Sequence, residues 1–105
     1  MIAIGIDIGG MSIKGAAVDS NGRVYDKFSM PFVKGEPGED TIRKLAALVK
    51  EYIASQHLEG KIAGIGIGSP GTLDVENGIV NYANNLGWNE LPVAKIMNEI
   101  LPYPI

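Results

Sequence analysis

The stretch "GIDIGGMSIKGAAVD", residues 5–19, decides how the rest of the chain is read. Ile2, Ile4, Ile6 and Ile8 fall on one side of an extended chain and Ala3, Gly5 and Asp7 on the other, which is the period-2 pattern of a strand. That strand ends in an acid and a Gly9-Gly10 pair, and "SIKGAAVD" after it is again extended in character. A Rossmann turn needs G-x-G-x-x-G opening a helix, whereas here the glycines read G-x-x-x-G-G and a strand follows. A P-loop needs G-x-x-x-x-G-K-[ST], and no such run exists. What remains is a β-hairpin whose bend, Gly9-Gly10-Met11-Ser12, can present backbone N–H groups to a phosphate, because glycine accepts both the dihedrals and the close approach. Asp7 at the mouth of the bend cannot help a bare phosphate, but it suits a hydrated Mg²⁺, which takes one or two carboxylates plus phosphate oxygens. Lys14 would add a cationic charge nearby. The same residues equally make a plain hairpin with Asp7 capping its backbone, so the motif alone leaves both readings open.

Outward from this stretch, Asn21-Gly22 predicts a tight turn with positive φ at both central residues, leading into a third strand, "RVYDKFSM". Residues 31–38 read as a polar Gly/Pro loop. Ile42, Leu45, Val49, Tyr52 and Ile53 then recur at helical spacing, with Glu39 and Asp40 at the start and Gly60 beyond the end. "KIAGIGIGSPG", residues 61–71, is a further buried strand whose Gly64, Gly66 and Gly68 face suggests close approach by a helix or ligand. A hairpin is expected around Glu76-Asn77-Gly78. After Pro92, the stripe Val93, Ile96, Met97, Ile100 and Leu101 predicts a second amphipathic helix, ended by Pro102 and Pro104. The order implies an α/β fold in which a mixed sheet of antiparallel hairpin strands plus parallel strands is covered by helices. With no further strand beside it, "KIAGIGIG" would be an unpaired edge able to recruit another chain.

A chain of 105 residues makes one domain at most, and 46% hydrophobic with 20% charged residues is a soluble, folded composition. A net charge of −3 provides no basic field for a phosphate backbone, so nucleic acid is not an expected partner. No apolar run is long enough for a bilayer, and the absence of cysteine is consistent with the cytoplasm. Met1 leads straight into the first strand, so neither a signal peptide nor a leading helix-turn-helix is expected.

"DIGGMSIKGAAVD" followed by "GIGIGSPGTLDVENGIVNYANNLGWNELPV" resembles the N-terminal half of the ROK family of repressors, open reading frames and sugar kinases, within the actin/hexokinase/Hsp70 ATPase superfamily. The resemblance covers essentially the whole chain. It implies a ribonuclease H-like, actin-like ATPase fold truncated before its last strand, with residues 1–105 forming the phosphate- and sugar-binding part of an N-terminal lobe. It also implies ATP and Mg²⁺ as cofactors, a sugar as substrate and a homo-oligomer as assembly. By resemblance Asp7 serves Mg²⁺ indirectly, and Gly9, Gly10, Met11, Ser12 and Lys14 surround the nucleotide phosphates. By the same resemblance Pro70, Gly71, Asn84 and Asn85 shape the sugar pocket, with Asn85 matching the sugar-contacting Asn ahead of Asn84; an amide suits that job because it both donates to and accepts from hydroxyls. Met11 stands where the family commonly has Thr, so a hydroxyl contact to phosphate is lost. The catalytic aspartate belongs to an Asn-Asp-Ala-Asn type motif after a proline-containing approach that "LPYPI" resembles. The sequence reaches Ile105 before it, so no catalytic base is expected here. The adenosine-binding half and the Cys/His zinc cluster of many members are likewise expected downstream. The functional expectation is ATP-dependent phosphorylation of a hexose or related sugar, with the sugar-sensing domain of a transcriptional repressor as the alternative.

Four other residues have simpler expectations. Trp88 is expected to pack beside the pocket, His57 to sit exposed at the helix end, and Asp74 and Glu76 to be turn acids.

Overall fold

The computed structural model describes residues 1–105. β1 (Ile2–Ile8) and β2 (Ser12–Asp19) form the expected hairpin, in unbroken register from Ile2 opposite Asp19 to Ile8 opposite Ile13. β3 (Val24–Pro31) adds antiparallel to β2, and β4 (Ile62–Gly68) adds parallel to β1, giving the order β3-β2-β1-β4. Strands β3 and β4 point the same way, so the chain must cross over between them, and α1 (Gly38–Ser55) is that crossover. Its Ile42, Leu45, Ala46, Val49 and Ile53 share one core with Ile2, Ile4, Ile6 and Ile8.

One side chain seals an irregularity in this sheet. The β2–β3 register slips between Ala16 and Val18, which breaks the ladder there. The Tyr52 hydroxyl, brought in by α1, donates to the Asp26 carbonyl at 2.6 Å and accepts from the Ala17 N–H at 3.0 Å. Its ring lies 4.7 Å from that of Phe28.

Helix covers one face of the mixed sheet as expected, and Ala3, Gly5, Asp7, Gly66 and Gly68 are exposed on the other. The structure departs from the sequence expectations at several places. The turn after β2 has positive φ at Gly22 alone, not at Asn21. The Gly22 N–H donates to the Asp19 carbonyl, and the Asp19 carboxylate accepts from the N–H groups of Asn21 and Arg23, so a type I turn with a left-handed glycine replaces the expected geometry. The residues after β4 form a second, antiparallel sheet of β5 (Thr72–Asp74), β6 (Ile79–Ala83) and β7 (Trp88–Leu91). The last of these strands was not expected.

α2 (Val93–Asn98) is shorter than its apolar stripe. Ile100 and Leu101 both donate to the Met97 carbonyl, and the Asn98 amide donates to the Leu101 and Tyr103 carbonyls, pulling the chain off the helical path. The tail then runs back to β4, where the Ile65 N–H donates to the Pro104 carbonyl at 2.8 Å. The β4 edge is therefore partly covered instead of fully open. α1 ends with His57 in the left-handed region, φ 58°, where its N–H meets the Ala54 carbonyl and that of Leu58 meets Ile53. This is a Schellman arrangement built on histidine, with Gly60 left to the next turn. His57 is exposed as expected.

Candidate functional site at the carboxyl end of the mixed sheet

Because β1 and β4 are parallel, the bend 9–12 and the turn 69–71 leave the sheet at the same end. The carboxyl end of parallel strands is where open α/β sheets take ligands. Asp7, Lys14 and Gly68 form one cross-strand row there. Asp7 is exposed and makes no hydrogen bond or ion pair within the protein, even with Lys14 opposite. Its Oδ1 is 3.9 Å from where a Cβ on Gly68 would stand. The expectation that Asp7 caps the bend finds no such bond, and its carboxylate is free to serve a ligand.

The bend divides its backbone groups. The Gly9 N–H donates to the Ser12 carbonyl at 3.0 Å, and the Phe32 N–H donates to the Met11 carbonyl at 3.1 Å. Gly9 thus spends its donor on closing the bend, while the N–H groups of Gly10 and Met11 have no partner in the protein. The Met11 side chain is 90% exposed and brings no hydroxyl. Ser12 is half-buried.

The two segments expected around a sugar are in contact through glycine. Gly71 has φ +100°, and a Cβ there would lie 2.1 Å from the Tyr82 carbonyl oxygen and 2.9 Å from the Ala83 Cα. Only a residue without a side chain lets the Pro70-Gly71 turn rest on β6 just before Asn84. Asn84–Leu86 is a single 3-10 turn ended by Gly87 in the left-handed region, and Ala83 pairs with Trp88 to close it. The two asparagines differ. Asn84 Oδ1 accepts from the Tyr82 hydroxyl at 3.2 Å, whereas the exposed Asn85 amide has no partner and keeps both donors and acceptor available.

Trp88 is 3% exposed and packs as expected, tilted against Phe32 with centroids 6.0 Å apart. Phe32 is the site neighbour that the sequence reading missed, since it falls in the stretch taken as a polar loop yet is 8% exposed. A buried-sized aromatic among polar loop residues was the available signal. Asp74 is a turn acid, accepting from the Asn77 side chain and backbone N–H, and these bonds hold its carboxyl below the ordinary range. No three His, Cys, Asp or Glu side chains converge as a metal site. A cation at Asp7 would therefore draw most of its ligands from phosphate and water, which is how Mg²⁺ is commonly held. No helix is long and apolar enough to cross a membrane.

A hairpin-led mixed sheet with a crossover helix, and a glycine bend at the carboxyl end of its first strand, defines the actin-like ATPase class of α/β fold. The chain belongs to the ROK family, whose sequence model matches residues 3–105. A glucokinase of Halalkalibacterium halodurans is 28% identical over 103 residues, covering 97% of this chain and 31% of that protein. The xylose repressor of Caldicellulosiruptor bescii is 34% identical, covering 97% of this chain and 26% of the repressor. In three dimensions the chain is similar to a ROK family glucokinase from Streptomyces griseus solved with glucose and AMPPNP, with TM-score 0.73, 25% identity, and coverage of 99% of this chain and 31% of that one. The chain thus spans about a third or less of the length of these relatives.

Proposed function

We propose that residues 1–105 are the phosphate- and sugar-binding part of the N-terminal lobe of an ATP-dependent sugar kinase. The observation that carries the reading is the arrangement at one end of the sheet. An unpaired carboxylate, two free backbone donors in a glycine bend, and an unpaired amide on a turn fixed by Gly71 all belong to segments leaving that end or packed on them. Phosphoryl transfer needs mainly positioning and charge stabilisation around Mg²⁺. The Gly10 and Met11 N–H groups would receive phosphate oxygens, Lys14 would add positive charge, and Asp7 would orient water on the cation. Bound Mg²⁺ would supply the charge that lets a carboxylate and a phosphate share this corner. Asn85, with Pro70 and Gly71 holding the adjoining turn, would orient the sugar hydroxyls. This set includes no group to accept the hydroxyl proton, so the 105-residue chain is expected to bind without turning over.

The 34% identity with a xylose repressor favours a second reading, a sugar-sensing domain. The two separate on nucleotide. Calorimetric titration of the chain with AMPPNP, with and without Mg²⁺, and with glucose or xylose tests them. A kinase part binds AMPPNP only with Mg²⁺ and loses most of that dependence on Asp7→Asn. Sugar binding with no nucleotide binding would favour the sensor, and sugar-dependent ADP release from ATP by these residues alone would contradict the assignment of the base to another segment.

A further inference from the structure

We infer that Phe32 and Trp88 are positioning residues that tie the phosphate bend to the asparagine turn, so that each half of the site sets the geometry of the other. The inference rests on the kinase reading above and goes beyond it by naming the link. On one side, the Phe32 N–H holds the Met11 carbonyl at 3.1 Å. The Met11 carbonyl belongs to the bend whose Gly10 and Met11 N–H groups are free, so holding it from Phe32, together with the Gly9–Ser12 closing bond, fixes the backbone that carries those donors. On the other side, Trp88 pairs with Ala83 and closes the turn carrying Asn84 and Asn85.

Between these two anchors the rings of Phe32 and Trp88 meet at 6.0 Å and 57°. Such tilted pairs are favoured by the ring quadrupoles and transmit displacement, because a packed interior has little free volume to absorb it. The pyrrole edge of the indole is held as well. A Cβ at Gly38, the first residue of α1, would stand 3.0 Å from both Cδ1 and Nε1 of Trp88, and one at 2.9 Å from Leu91 Cδ2. The indole is thus in close contact with both the helix start and Phe32. Its Nε1–H is buried with no acceptor. A buried donor is ordinarily satisfied; with no acceptor available to this one, the position of the ring is maintained by packing and not by a polar bond. The connection runs from Met11 through Phe32 to Trp88 and Ala83 without leaving directly bonded or touching groups.

The test uses the 105-residue chain, whose one tryptophan is Trp88. The dissociation constant of Mg-AMPPNP is measured by calorimetry with and without saturating glucose, and Trp88 emission is followed in the same titrations. Wild type should show a coupling of about fivefold or more between the ligands, and its emission should respond to nucleotide as well as to sugar. Phe32→Leu keeps an apolar side chain and should reduce the coupling to within error of unity. Ile53→Val, toward the other end of α1, controls for simple loss of stability and should leave the coupling intact. Urea unfolding establishes that both variants are folded. Retained coupling in Phe32→Leu, equal loss of coupling in Ile53→Val, or binding of both ligands by wild type without coupling would overturn the inference while leaving the kinase reading in place. Failure of wild type to bind Mg-AMPPNP at all would overturn both.

Discussion

Replacing Gly71 with alanine strains the contact between the Pro70-Gly71 turn and β6, the segments proposed above to hold the sugar. Two costs can be read from the structure. At φ +100° an L-residue is held in a sparsely populated region, which costs about 1–3 kcal/mol. The new Cβ would also lie 2.1 Å from the Tyr82 carbonyl oxygen, more than about 1 Å inside an ordinary contact, and both groups are backbone. Relief requires the Pro70-Gly71 turn and β6 to separate, at a cost typical of overpacking, about 1–3 kcal/mol. The total, about 2–6 kcal/mol, is a large part of the 5–15 kcal/mol that stabilises a small domain. Gly66→Ala is the control, because its Cβ would meet nothing within 4 Å and its φ is not positive. Urea unfolding should place Gly71→Ala well below wild type and Gly66→Ala within about 1 kcal/mol of it. Glucose affinity should fall in the Gly71 variant even under conditions where it is fully folded, since about 1 Å of misplacement is enough to spoil hydrogen-bond geometry. Equal stability of the two variants, or unchanged glucose affinity in folded Gly71→Ala, would refute the reasoning.

Tyr52→Phe keeps the ring against Phe28 but abandons the Ala17 N–H and Asp26 carbonyl at the β2–β3 irregularity. Two unsatisfied groups at about 1–3 kcal/mol each predict a loss of about 2–4 kcal/mol, with some water access at β3, measurable by urea unfolding. His57→Gly should stabilise the chain by about 1 kcal/mol in the same assay, because glycine carries no penalty at the left-handed position that ends α1. Glu36 has its carboxyl held below the ordinary range, first by a hydrogen bond from Lys44 and then by one from the Thr41 hydroxyl. A lowered folded-state value means the stabilisation is fully present above the unfolded-state value and is lost as pH falls through the folded one. Thermal unfolding of Glu36→Gln should therefore show a shallower loss of stability than wild type on the acid side of about pH 4.

Periodicity made the hairpin and the crossover helix legible, because each buries one face over seven or more residues; in β4 the alternation holds only from Gly64 onward, since the register with β1 slips between Ile62 and Gly64. β7 was not legible, since four residues, "WNEL", are too few for an alternation to stand out. Asp7 and the bend could be singled out because an acid and two glycines are unusual at the end of a buried strand. The resemblance alone favours Asn85 over Asn84; what the sequence does not carry is the physical difference between two identical amides, which comes from the Tyr82 hydroxyl occupying Asn84. Gly9 and Gly10 likewise look equivalent in sequence. Only the closing bond to Ser12 separates the donor that is used from the one that is free. Phe32 is marked in sequence only by being a large aromatic among polar loop residues, while its partner Trp88 lies fifty-six residues away.

The most direct measurement of the central claim is backbone amide mapping by NMR while Mg-AMPPNP is added to the chain. The largest shifts should fall on Gly10 and Met11, with smaller ones at Gly9 and Lys14, and they should weaken when Mg²⁺ is withheld or Asp7 is changed to Asn. Shifts centred elsewhere, with the Gly10 and Met11 amides unmoved at saturation, would contradict it.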